Sequence, residues 1–460
     1  MDFYMINGCL YRGRNLKFHT GNVNLDKNIF TTIVGRNGSG KSRLLRELVN
    51  SFANVTESRR EREVNESPNL CHVDGERPSN IIASSTSPFD KFPIPYERGA
   101  IDVQDGYYFY QGMRGLASVN LSLSFMSEIL GFLIKALTYD STRVGTVMGV
   151  LDYLGYQEKI VARFIVEVPR SLVMCFVHGT DPISELDRFF SVNSKGTLNT
   201  RKLRSLFVSS SPEEVARIVA ALKDYFVNFE RPRIDAVISS TGAVDALSGR
   251  LLSDHFTVLL DAGLLRLRDV TLTKKGLPNF FKINDASSGE QCVLMALLGI
   301  AANIQDGSLI CIDEPEICLH PEWQERYIQL LMTTFSEFKG CHFVIATHSP
   351  QIISKLADTN CFVLDMQSAR IYNANEFNNR SADFQLASIF GAPGYKNEYL
   401  MRELLNALTV LGTGRNLSAE QMRVFSNFLD LKDVLEEDDP VKDLLVLLED
   451  ALEAKNNARA

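Results

Sequence analysis

Three polar clusters, each at the end of an apolar run, carry the residue types needed to hold and cleave a phosphate anhydride. The first is Gly35-Arg36-Asn37-Gly38-Ser39-Gly40-Lys41-Ser42, which fits the pattern G-x-x-x-x-G-K-[ST]. Its glycines let backbone N–H groups curve around phosphate oxygens, and a helix starting there adds partial positive charge. Lys41 is expected to reach the β- and γ-phosphates of ATP and Ser42 to ligate Mg²⁺, with Arg43 next in the first helical turn. The second cluster is Asp313-Glu314-Pro315-Glu316. Asp313 is expected to hold Mg²⁺ through water, and Glu314 to polarise the attacking water as general base. The third is Thr347-His348-Ser349-Pro350, where His348 could hydrogen-bond the γ-phosphate or that water.

These clusters need rigid supports. Phe30-Thr31-Thr32-Ile33-Val34, Leu309-Ile310-Cys311-Ile312 and Phe343-Val344-Ile345-Ala346 are short apolar runs of the kind found in buried parallel strands. A polar residue at the C-terminal end of such a strand lies where α/β sheets bind ligands. Leu44, Leu45, Leu48 and Val49 repeat at helical spacing after the glycine-rich loop. Pro315 stops its strand by removing a ladder donor. Further strands are expected at 3–6, 16–19, 81–85, 107–110, 264–270 and 361–364, where the sheet is expected to end. Residues 51–78 read as a polar loop, and residues 116–262 as helical.

A fourth cluster, Ser287-Ser288-Gly289-Glu290-Gln291, precedes a helical pattern. Alone it is a helix N-cap with an acidic first turn. Between the other three it resembles the signature motif of ABC-type ATPases, with Glu290 where transporters usually have Gly. The tighter resemblance is to the OLD-like class, akin to RecF and other DNA-repair heads. It rests on residues 313–324, which look like an extended Walker B and D-loop, and on 347–351, which look like a switch region. It covers residues 1 to about 110 and about 263 to 375. The resemblance implies an α/β P-loop NTPase fold of ABC type, with a mixed sheet, a helical lid or insertion and a helical C-terminal extension. The implied boundaries are 1–115 and 263–375 for the two core halves, 116–262 for the insertion and 376–460 for the acidic extension.

The resemblance further implies a homodimer or higher homo-oligomer with composite ATP sites. In it Ser288, Gly289, Glu290 and Gln291 of one copy would close on the γ-phosphate held by residues 35–43 of the other. Leu319-His320-Pro321 would lie at the dimer face, and Gln111 is a candidate metal-ligating Q-loop residue. His320 has a second reading, as a cap on the following helix.

Net charge is −8 over 460 residues, and ten acidic against four basic residues from Asp430 onward account for −6 of it. The near-neutral remainder argues against a large nucleic-acid footprint, although direct nucleic-acid contact stays possible. Local basic clusters stand at 59–62, 201–204 and 231–233. No run of about 18 uncharged apolar residues occurs, so no membrane partner is expected. The first ten residues lack a basic start, and the eight cysteines are scattered, both fitting a cytoplasmic protein. The insertion lacks sustained heptads.

OLD-type nucleases add a Toprim domain, yet no Asp-x-Asp follows residue 376. The chain therefore resembles the ATPase subunits of two-gene antiphage systems such as Septu, with an HNH nuclease partner, or PARIS, with a Toprim partner. The alternative is a DNA-repair or DNA-end-binding ATPase. The face built by Leu444, Leu445, Leu447, Leu448 and Leu452 could pack on its own body or dock another chain.

Overall fold

The computed structural model describes residues 4–21, 23–53, 70–74, 77–94, 107–112, 114, 126–127, 129–131, 133–135, 141–178, 181–192, 198–229, 231–252, 254–276 and 280–457. The basic cluster at 59–62 and most of the polar stretch before residue 70 lie outside them. Contacts divide the chain into two compact units, Met1–Gly112 with Gln305–Ala460, and Met113–Ile304.

The first unit is built on a seven-stranded mixed sheet. Its order is Arg370–Asn373, Cys361–Asp365, Ile29–Val34, His342–Ala346, Leu309–Asp313, Ile81–Ser85 and Tyr108–Gln111. All neighbours are parallel except the edge pair Cys361–Asp365 with Arg370–Asn373. The three central strands are buried at every position, which is why they read as continuous apolar runs rather than alternating ones. The sheet thus continues past Leu364. Arg370–Asn373 is a short edge strand with exposed ends and two partly buried central positions, so it carries little hydrophobic signal.

The helix Lys41–Ala53 buries Leu44, Leu45, Leu48 and Val49 in a core shared with Tyr4, Ile6, Leu16 and Phe18. The last four come from or flank a three-stranded antiparallel sheet of Arg14–Lys17, Met5–Tyr11 and Leu70–Asp74. The stretch 51–78, expected as a loop, therefore contains the end of a helix and one strand. After the sheet come the helices Ala382–Ser388, Glu398–Gly412, Ala419–Leu429 and Pro440–Asn457. Leu400, Leu404, Phe428, Leu445 and Leu448 form a separate core there. Leu444, Leu445, Leu448 and Leu452 of the last helix thus pack on its own body, whereas Leu447 is exposed.

The second unit contains a five-stranded antiparallel sheet in the order Phe280–Lys282, Leu265–Thr273, Lys159–Val166, Arg233–Ser239, Gly242–Asp245. The span 116–262 is therefore not all helical. Two of its strands, Lys159-Ile-Val-Ala-Arg-Phe-Ile-Val and Arg233-Ile-Asp-Ala-Val-Ile-Ser, each bury every second side chain. Val161, Ile165 and Val237 place apolar side chains on the partly buried face as well, so the residue types show no period of two. Residues 263–304, read from sequence as part of the second core half, group with this unit. Among the described residues no helix is long and apolar enough to cross a membrane.

Candidate nucleotide site

The loop after Ile29–Val34 turns through Gly35 (φ 148°), Gly38 (φ 79°) and Gly40 (φ 99°). These are backbone conformations that L side chains rarely adopt, so the loop needs glycine at all three positions. Lys41 is the first helical residue and only 4% exposed. Its ammonium donates to Gly35 O at 3.0 Å and to His348 Nε2 at 2.6 Å. Burial lowers the Lys41 pKa, while Glu314, Glu316 and Asp313 act to raise it. The His348 pKa falls to about 4 through burial and then the Lys41 charge. The imidazole is thus neutral near pH 7 and offers a lone pair to Lys41.

Asp313 ends its strand at 2% exposure and accepts from Ser42 Oγ at 3.0 Å. Ser85 on the neighbouring strand donates to its carbonyl at 3.2 Å. Burial pushes the Asp313 carboxyl up to about 7; Ser42 opposes this, and Glu314, Asp90 and Glu316 add to it. Among the described residues no cluster of three or more His, Cys, Asp or Glu side chains is placed to hold a metal, but a buried carboxylate joined to a serine hydroxyl is a donor pair that suits a divalent cation completed by phosphate and water. Mg²⁺ in particular is usually held by one or two protein oxygens together with substrate phosphate and water. Ser42 and Asp313 would hold it, and it would neutralise charge on phosphate oxygens. Gln111 is buried and reaches the same edge of the sheet. It pairs in register with Ser84, next to the Ser85 that pairs with Asp313.

Glu314 stands in the left-handed region at φ 47°, ψ 56°, a conformation that costs a non-glycine residue about 1–2 kcal/mol. Its N–H donates to Ala346 O at 2.9 Å, and its carboxylate lies 3.6 Å from His348 Nε2. Lys41, Ser42, Asp313, Glu314 and His348 therefore converge at the C-terminal ends of three adjacent strands. Beside the loop is a cavity of about 650 Å³ lined by Tyr11, Arg12, Arg14, Arg36 and Asn37 among others. Arg36 is tied by its guanidinium to Gly391 O at 2.8 Å, and Arg43 is exposed.

Ser288, Gly289, Glu290 and Gln291 belong to the second unit, at the start of the helix Ser288–Asn303. Ser287 caps this helix in a reciprocal box with Glu290. Lys274 pairs with Glu290 at 3.4 Å and lies 4.7 Å from the Phe281 ring. Ser287 and Ser288 are exposed. His320 is the N-cap residue of Pro321–Thr334, without a side-chain capping bond. Two of the basic clusters are engaged internally. Arg231 pairs with buried Asp245, Arg233 with Asp235 and Arg204 with Asp187.

Sequence reasoning missed Ser85, Asp90 and the grip of Glu316 on the Thr347-His348 loop. The repeated acid in Asp313-Glu314-Pro315-Glu316 was the one available signal for Glu316.

A glycine-rich phosphate loop, a carboxylate pair and a polar strand end on one parallel sheet define the P-loop nucleotide-binding class. Residues 186–354 match the family described as "AAA domain, putative AbiEii toxin, Type IV TA system", a match that begins after the phosphate loop. The chain is 34% identical over 89 residues to the retron Ec83 probable ATPase of Escherichia coli, covering 17% of this chain and 16% of that protein. It is 25% identical over 108 residues to the retron Vc95 probable ATPase of Vibrio cholerae serotype O1 biovar El Tor, covering 21% and 20%. The matched part thus spans a fifth or less of these relatives' lengths. Among solved structures, the Smc head domain from Pyrococcus furiosus has a TM-score of 0.32 at 13% identity, covering 81% of this chain and 97% of that one. Both retron relatives are named as probable ATPases.

Proposed function

We propose that the chain is an ABC-type ATPase that binds and hydrolyses ATP at composite sites between two copies. In this reading it is a nucleotide-dependent regulator of a separate effector nuclease, of HNH or Toprim type, in bacterial antiphage defence. The observation that carries the ATPase reading is the convergence of Lys41, Ser42, Asp313, Glu314 and His348 at one sheet edge. Lys41 and the amides of residues 35–42 would bind the phosphates, and Ser42 and Asp313, with Gln111, the Mg²⁺. Glu314 would orient and deprotonate the attacking water, with His348 beside it. The start of Ser288–Asn303 in the other copy, residues Ser288 to Gln291, of which Ser288 is exposed, would complete the site. ATP held between two copies would favour one arrangement, and its hydrolysis or loss would release or activate the nuclease.

The Glu314→Gln variant tests this. It should bind ATP with Mg²⁺, persist as a dimer by light scattering and turn over about 10²–10⁴-fold more slowly than wild type. Turnover at the wild-type rate would remove Glu314 as the base. Co-purification with the product of the adjacent gene, with and without ATP, tests the regulatory half. A nucleotide-dependent dimer without that partner, binding DNA with a steep salt dependence, would favour the repair reading instead.

A further inference from the structure

Glu316 is a partly buried carboxylate that the chemistry above leaves without a task. It sits in the short 3-10 turn Pro315–Cys318, directly after the two residues assigned to metal and water. Both of its oxygens are taken up by the end of the neighbouring strand. Oε1 accepts from the backbone N–H of His348, and Oε2 accepts from Thr347 Oγ1 at 2.9 Å. Thr347 is fully buried, and its hydroxyl in turn accepts from the Ser349 N–H at 2.9 Å. A second tie lies further along the chain. Ser349 Oγ donates to Gln324 Oε1 at 2.7 Å, and Gln324 Nε2 donates to Leu319 O at 2.9 Å. Residues 347–349 are thereby fastened at two points to the segment 316–324.

We propose that Glu316 is a positioning residue that sets where His348 stands opposite Lys41 and Glu314. This deepens the ATPase reading and rests on it. The carboxylate grips the main chain of His348, so it fixes the location of the imidazole without occupying either ring nitrogen. The ring stands 2.6 Å from the Lys41 ammonium and 3.6 Å from the Glu314 carboxylate, distances that a small shift of the loop would spoil. Through Gln324 the same network joins His348 to the Leu319-His320-Pro321 turn. On the dimer reading that turn faces the second copy, so its displacement would be felt at His348.

The test compares ATP affinity and steady-state turnover of wild type, Glu316→Ala, Glu316→Gln, His348→Ala and the double variant Glu316→Ala/His348→Ala. Glu316→Ala should lower kcat about 10- to 100-fold, the cost of a misplaced reacting group, with ATP affinity unchanged. Glu316→Gln should recover most of the rate. Its amide oxygen can still accept from His348 N–H, and its NH₂ can donate to the Thr347 hydroxyl. The double variant should be no slower than His348→Ala, because the two act as one unit. Losses that multiply, or a Glu316→Ala variant whose ATP affinity falls as far as its rate, would overturn the proposal. Should Glu316→Ala not fold, Thr347→Val and Gln324→Ala each remove one tie and should show a smaller loss of kcat that vanishes in the His348→Ala background. A wild type that hydrolyses no ATP would sink the ATPase reading instead. The anchoring then stands or falls on hydrogen exchange at the His348 amide, which must quicken in Glu316→Ala.

Discussion

His342 shows how much one buried side chain can impose. It is fully buried at the start of the strand that ends near His348. The Thr31 hydroxyl donates to Phe18 O at 2.7 Å, so at 2.9 Å from His342 Nε2 it must accept. The ring is therefore protonated at Nε2, and its buried Nδ1 has no hydrogen-bond partner among the described residues. A second proton would have to go onto that nitrogen. Burial, with the His19 charge adding to it, holds the pKa down to about 3 against an ordinary 6.5. As pH falls, the unfolded chain therefore binds the extra proton first. This contribution to stability is complete above pH 6.5 and is lost as pH falls toward 3, by up to about 1.4 kcal/mol per pH unit. His342→Gln should flatten the dependence of melting temperature on pH between 6.5 and 4. Parallel curves for variant and wild type would acquit His342. At the nucleotide site, Lys41→Ala should weaken ATP binding at least about tenfold, since a charge-assisted phosphate contact contributes upward of 1.4 kcal/mol. Calorimetric titration with a non-hydrolysable analogue reads this directly.

The phosphate loop depends on a neighbour that no motif contains. Tyr11 ends the strand Met5–Tyr11, and its hydroxyl donates to Gly40 O at 3.4 Å. A Cβ on Gly40 would come within 2.8 Å of that hydroxyl oxygen, on a backbone with φ 99° that disfavours any side chain. The three-stranded sheet thus buttresses the loop from one side, as the parallel sheet does from the other. Gly40→Ala should destabilise the protein by about 1–3 kcal/mol through backbone strain alone, and should also weaken nucleotide binding as the loop shifts. Tyr11→Phe loses one long hydrogen bond and leaves the space open, so its effect should be much smaller. Thermal melts and fluorescent-nucleotide titrations of the two variants separate these causes; equal effects would refute the steric account.

Across the whole chain, the core beneath the phosphate loop and the core of the C-terminal helices are distinct clusters. The second lies in the most acidic part of the chain, where Leu445 is fully buried. Leu445→Ala should cost about 2–5 kcal/mol, as a large-to-small change in a packed core does. Because it touches none of the residues around Lys41 and Asp313, ATP affinity measured well below the melting transition should not change. A loss of affinity in the folded variant would show that the helical extension supports the site.

The local parts of the site were legible because each is a local pattern. The loop at 35–42, the acids after Ile312 and His348 after Ala346 announce themselves by a short apolar run that ends in a turn. A run buried on both faces has to be continuous, and a loop that wraps phosphate has to be glycine-rich. The order of the strands was not legible. That Ile81–Ser85 lies between Leu309–Asp313 and Tyr108–Gln111 depends on which edges pair, and periodicity says nothing about that. The strands at 159–166 and 233–239 alternate in burial but not in residue type, since Val161, Ile165 and Val237 stand on the partly buried face, so no period of two marked them. Contacts such as Ser42 with Asp313, Lys41 with His348 and Glu316 with Thr347 join residues 271, 307 and 31 positions apart. Residue type and spacing suffice to nominate these side chains as candidates for holding phosphate and metal. Only the packed sheet, by bringing the ends of separate strands side by side, decides which of them meet.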